Sequence, residues 1–182
     1  MRASALALAL FLGASGVAVA QPVVHREGEY TGVVPGQAPE SGKPRRAIKK
    51  GTLSWIGFVA KDGGAEVFFQ SPAAFELSQR MEGPTLVVHL AGLTRQVANT
   101  RRPVDTRFFD NPLARITAKA VRRTKKRGRG IEVRISFKNP KDAKEATVRT
   151  ATEADGFFYA YLSFPEGAEP APKADDAPDL DD

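Results

Sequence analysis

The sequence predicts an all-β fold: a β-sandwich of two antiparallel sheets with about seven strands. Three observations carry this. First, residues 113–138 hold two strictly alternating runs. Ala114, Ile116, Ala118 and Ala120 fall on one side of the first, with Arg115, Thr117 and Lys119 on the other. Ile131, Val133, Ile135 and Phe137 fall on one side of the second, with Glu132, Arg134, Ser136 and Lys138 on the other. Period two over this length marks half-buried strands. Second, turn signals recur between apolar runs, at Asp62-Gly63-Gly64, Asn139-Pro140-Lys141-Asp142 and Ala154-Asp155-Gly156. Third, no stretch carries a convincing helical period. The chain has no cysteine, so the fold relies on its core rather than on disulfides.

In order, Arg2, the apolar run Ala5 to Leu12 and the small residues ending Ala18-Val19-Ala20 have the form of a secretory signal peptide over 1–20. Its leucine-rich part is too short to span roughly 30 Å of hydrocarbon, so no stable membrane insertion is expected after cleavage. The mature chain is expected to start near Gln21, in the periplasm or outside the cell. Residues 21–50 are rich in Pro, Gly and charge and are read as a flexible linker ending in a basic run, Lys43 to Lys50.

The sandwich is assigned to 51–165. GTLSWIGFVAKDGGAEVFFQS reads as strand, turn, strand, apolar enough to sit centrally or to have both faces partly covered, with Trp55 as a packing anchor. Pro72 to Arg80 is read as irregular. Thr85 to Ala91 is a strand with Leu86, Val88 and Leu90 on one face. Residues 92–112 form a long crossover holding Arg101, Arg102 and Arg107, with Phe108 and Phe109 closing one end of the core. The hairpin 113–138 follows, its tip the basic RRTKKRGRG. ATVRTAT is a short strand and FFYAYLSF an interior one, ended by Pro165. Residues 166–182 hold seven acids and one lysine and are read as a disordered acidic tail.

Of the net charge of +6, residues 21–165 carry +11, so anionic partners are favoured. Export argues against nucleic acid as that partner. Only His25 and His89 exist, the second on a strand among apolar neighbours and read as a half-exposed packing residue. No H-E-x-x-H, G-x-S-x-G or phosphate loop is present, so neither a metal site nor a cofactor nor catalysis is expected.

Four segments bear on family. WIGFVAKDGGAEVFFQS resembles the opening hairpin of the AMIN domain, and GPTLVVHLAGL its strand ending in a small-residue turn. RRPVDTRFFDNPLARITAK resembles its crossover into the strand that begins after a proline, and RGIEVRISFK the alternating strand that follows. The AMIN domain is found in periplasmic N-acetylmuramoyl-L-alanine amidases and type IV pilus secretins. The resemblance implies two antiparallel sheets, a periplasmic address and non-catalytic attachment to peptidoglycan or envelope machinery. No amidase or secretin domain follows, so a stand-alone module is expected.

The function expected is binding of peptidoglycan or another anionic envelope glycan. Arg115, Lys119 and Arg134 would line a sheet face, with Arg122, Arg123, Lys125, Lys126, Arg127 and Arg129 at the hairpin tip. The alternative is an adaptor for an envelope protein complex, a pilus- or secretin-like machine, joined through a sheet edge. The acidic tail reads either as a solubilising tail or as a segment that lies on the basic hairpin and competes with the ligand.

Overall fold

The computed structural model describes residues 33–37, 47–123 and 128–168. Its strands in chain order are β1 (Thr52–Leu53), β2 (Trp55–Lys61), β3 (Gly64–Ser71), β4 (Glu76–Glu82), β5 (Thr85–Ala91), β6 (Arg95–Gln96), β7 (Val104–Asp105), β8 (Leu113–Val121), β9 (Gly130–Phe137), β10 (Thr147–Thr152) and β11 (Phe158–Phe164). A four-stranded antiparallel sheet runs β10-β11-β3-β2, and a five-stranded one runs β4-β5-β9-β8-β7. A two-residue parallel pair, β1 with β6, ties the chain before the sandwich to the crossover after β5. No helix of the described residues is long and apolar enough to cross a membrane.

The apolar layer between the sheets takes Val67, Phe69, Ala160 and Leu162 from the first and Leu86, Val88, Leu90, Ile131, Val133 and Ile135 from the second. Each set sits at alternate positions, so the period-two pattern is the direct cause of the layer. In the central hairpin Ile116 faces Ile135, Thr117 faces Arg134 and Lys119 faces Glu132. An irregularity between Leu113 and Arg115 shifts the ladder by one residue. It lets both Leu113 and Ile116 reach the core despite their opposite parity.

The two-sheet expectation is met, with differences in detail. Eight strands of six or more residues form rather than seven, and the eighth is β4, in the segment read as irregular. ELSQRME has charge on its outer side, which suits an edge strand, and its inner Leu77, Gln79 and Met81 face the core side. Gln79 clamps the sheets together, donating through Nε2 to the Ala146 carbonyl (2.9 Å) and accepting from the Ala146 N–H (3.0 Å). β2 is an edge strand with both faces partly covered rather than a central one, whereas β3 and β11 are interior. Phe109 packs on Phe58 with ring centroids 5.6 Å apart, but Phe108 is 80% exposed, so only one of the pair closes the core.

The outer face of the four-stranded sheet is also apolar. Phe68, Tyr159 and Tyr161 form a second cluster with Trp55, Val59, Ala151 and Phe157 packed against it. Trp55 is therefore a half-buried anchor on this outer side. Gly57 is required here: a Cβ on it would stand 2.1 Å from the Phe68 ring. His89, expected to be half-exposed, is buried, its ring lying against Gly130.

Gly57→Ala is expected to lower stability by about 1–3 kcal/mol, the usual cost of forcing a methyl into a packed site. Urea unfolding of Gly57→Ala alone and of Gly57→Ala with Phe68→Leu checks this. The double variant should recover part of the loss, because the smaller side chain yields the space.

Candidate functional site

The β8–β9 hairpin positions the predicted residues. Cross-strand pairing puts Arg115, Thr117 and Lys119 of β8 beside Ser136, Arg134 and Glu132 of β9 on the outer face of the five-stranded sheet. Arg115, Lys119 and Arg134 are all exposed there. Arg122 and Arg123 continue from the end of β8 and Arg129 precedes β9, again exposed. Lys125, Lys126 and Arg127 lie outside the described residues, as do the signal peptide, most of the basic linker and the tail beyond Ala168.

The face is not uniformly basic. The strand registers place four cations on it, Arg80, Arg115, Lys119 and Arg134, and four anions, Glu76, Glu82, Asp105 and Glu132. Four of these close a ring of alternating charge. Arg80 lies 2.7 Å from Glu82 and 3.3 Å from Glu132, and Arg134 lies 2.9 Å from Glu82 and 3.5 Å from Glu132. Val87 sits between the two arginines in the sheet and is fully buried beneath this ring. Arg134 is thus committed to intramolecular pairing. Asp105 pairs with Arg107 at 2.7 Å, and that guanidinium holds its carboxyl down at about 2.

Unpaired positive charge gathers instead at the hairpin end. The Thr94 and Arg95 amides both donate to the Gly51 carbonyl, at 2.9 and 3.1 Å. The Arg95 guanidinium donates to the Lys50 carbonyl at 3.4 Å. The Gln96 side chain donates to the Ala118 carbonyl on β8 at 3.3 Å. Ala91 pairs with Gly130, and Gly130 with Val121, so β5 ends beside the start of the tip. Lys50, Arg95, Arg122, Arg123 and Arg129 therefore share one end of the sandwich, and none has an ion-pair partner among the described residues. Sequence reasoning missed Arg95 and placed Lys50 in a linker. The signal that joins them to the tip is the parallel β1–β6 pair, too short to read from a pattern.

A second polar arrangement lies under the apolar outer face of the other sheet. Ser54 Oγ donates to Gln70, Gln70 Nε2 donates to the Tyr159 hydroxyl (2.6 Å), and that hydroxyl donates to Asp155 (2.5 Å). Burial, and then the Asp155 carboxylate, push the Tyr159 hydroxyl well above its ordinary value. It stays protonated and acts as a fixed donor in a brace. Tyr161 donates to Glu153 (2.7 Å) and carries the Arg149 guanidinium 3.7 Å above its ring. Its hydroxyl is raised by the same cause, burial first. Among the described residues, no group of three His, Cys, Asp or Glu side chains is placed to hold a metal.

The fold and the charged end define an antiparallel β-sandwich with a cationic loop at one pole. No protein-family model and no curated protein matches the chain.

The Asp105 and Glu82 carboxyls are both held below their ordinary values, by Arg107 and by Arg80 with Arg134. A depressed folded pKa gives stability that is present above the unfolded value and is lost as pH falls through the folded one. The urea midpoint should therefore drop from about pH 5 toward pH 2. The Asp105→Asn, Glu82→Gln double variant should lose less over that window.

Proposed function

We propose that this chain is an exported, non-catalytic module that binds peptidoglycan or another anionic envelope polymer through its hairpin end. The observation that carries the reading is the gathering of Lys50, Arg95, Arg122, Arg123 and Arg129 at one pole, without ion-pair partners among the described residues, while the neighbouring sheet face balances its own charge. Peptide carboxylates and polymer phosphates both match paired guanidinium donors. Arg115 and Lys119 extend the patch along the sheet, and Lys125, Lys126 and Arg127 add charge to the tip by sequence. Arg134, tied to Glu82 and Glu132, is the weakest member of the set.

The leader-like residues 1–20 support an extracytoplasmic address, and the strand-and-turn resemblance to AMIN domains supports an envelope role. Exposed contacts of this kind contribute roughly a kcal/mol or less each, so a repetitive ligand that engages several at once suits the site. Nucleic acid fits the charge but not the address, and the site needs no cofactor.

Mature protein should pellet with purified sacculi at low salt and release as ionic strength rises. Replacing Arg122, Arg123 and Arg129 with Gln should weaken this about tenfold, from about 0.5 kcal/mol per contact. Arg134→Gln should change it far less. Unchanged pelleting after neutralising every tip charge removes the assignment.

A further inference from the structure

Each edge of the two sheets raises the question of what prevents it from pairing with another chain. β4 presents Glu76, Arg80 and Glu82 along its length. β7 is two residues long. β2 ends in Lys61 and is flanked by the 3-10 turn at Asn99–Arg101. β10 has none of these guards along its length, and the 33–37 segment comes against Glu153 and Ala154 just beyond its end. Its six residues, TVRTAT, pair with β11 in unbroken register from Thr147 opposite Ser163 to Thr152 opposite Phe158. It contains no proline, no bulge and one charge, and five of its six residues are exposed. That charge, Arg149, is drawn back over the sheet onto Tyr161 rather than standing across the edge.

The ladder's parity says which backbone groups are open. The Glu153 amide donates to the Phe157 carbonyl at 3.0 Å, so the pair just beyond β10 is a hydrogen-bonded one. Antiparallel pairs alternate between bonded and non-bonded. Ala151, Arg149 and Thr147 therefore bond to β11, and the N–H and C=O groups of Val148, Thr150 and Thr152 point out of the sheet. Three donor–acceptor sites at two-residue spacing form a template for one more strand.

We propose that the open edge of β10 takes an added strand from another polypeptide, an extended, proline-free segment of acidic character. The acidity follows from charge complementarity. The described residues hold 18 Lys and Arg against 12 Asp and Glu. Arg149 reaches Glu153 only at 3.9 Å, too long for a hydrogen bond, and so can take a carboxylate from the incoming strand. Charge also disfavours a second copy, which would bring two basic bodies together over a six-residue contact. The chain's own acidic segment beyond residue 165 is interrupted by Pro170, Pro172 and Pro178, which suit no ladder.

Amide hydrogen exchange on the isotope-labelled mature protein tests this, with the synthetic peptide TVEVTVEV as probe. Without peptide, Thr147, Arg149 and Ala151 should be protected, while Val148, Thr150 and Thr152 exchange fast. Saturating peptide should slow the latter three about tenfold or more, as expected for amides entering a ladder. Because backbone bonds carry the contact, protection should persist at 1 M NaCl. Thr150→Pro removes one outward N–H while leaving the β11 ladder intact, and should abolish the peptide effect. Thr150→Lys, an edge guard, does the same if the proline variant fails to fold. No protection by peptide overturns the proposal. So does slow exchange at the three amides without peptide, whether independent of dilution, which marks cover by the chain itself, or lost on dilution, which marks a second copy. Sacculus pelleting by Thr150→Pro reads the hairpin site separately, so the two assignments stand or fall apart.

Discussion

The register of β5, β9 and β8 is the constraint on which the rest depends. Leu86, Val88 and Leu90 stand opposite Ile135, Val133 and Ile131, and Ile116 stands opposite Ile135 on the far side. All seven are essentially inaccessible to water. A slip of one residue in any of these ladders would turn the apolar set outward and carry Arg134, Glu132, Thr117 and Lys119 into the core. Burying unpaired charge is far more costly than losing a few contacts. The same alternation that builds the core therefore fixes which side chains reach solvent, and the charged outer face is a by-product of the packing. The irregularity at Leu113–Arg115 is the one place where this parity is deliberately broken, and it admits Leu113 to the core without disturbing Arg115.

Electrostatics then divides the outer surface into a balanced face and a cationic end. Over the middle of the five-stranded sheet, positive and negative side chains alternate across strands and neutralise one another. The ring of Arg80, Glu82, Arg134 and Glu132 also roofs Val87, so the long arginine stems cover apolar surface while their heads stay wet. A ligand competing for Arg134 would have to break two contacts first. At the hairpin end the pairing stops. Glu76 and Ala91 are the last residues of their ladder, and Arg122, Arg123 and Arg129 run beyond it, past any acidic neighbour on the adjacent strand. Positive potential is focused there because the strands that supply counter-charges are shorter than the hairpin.

Much of this was legible from residue order. The faces of the hairpin followed from alternation, because any odd shift would turn an apolar set outward, but the particular pairing of Ile116 with Ile135 is one of several even registers and was not fixed by the pattern. The interior places of β3 and β11 followed from runs such as VFFQ and FYAYLSF that have no polar side. Three features were not legible, each for a physical reason. β4 reads as loop because an edge strand needs only one apolar face, and ELSQRME offers just Leu77 and Met81. β2 reads as central or as covered on both faces because its outer side is apolar; the second holds, since that side packs on the aromatic cluster around Phe68, and the edge position itself leaves no mark in the pattern. The face of Arg115, Lys119 and Arg134 reads as basic because three of the four acids that balance it, Glu76, Glu82 and Asp105, come from β4 and β7, remote in sequence and joined only by the fold.

The positions of these surfaces bear on how they act together. The cationic pole lies at the end of β8 and start of β9, in the five-stranded sheet, whereas the open strand edge belongs to the other sheet. The last described residues run the opposite way: the Ala168 amide donates to the buried Asp142 at 2.8 Å, and Gly167 lies against Pro112, just before β8 begins. The chain thus leaves the sandwich at the far end of the hairpin from its arginines. Any contact between the acidic segment that follows and the cationic pole has to run the length of β8, about 27 Å at the usual rise per residue. The exit lies near the Thr147 end of β10, where Thr147 pairs with Ser163, and at the end of β8 opposite the pole. On the two proposals made above, the polymer would be held at one end of the module and the protein along one edge.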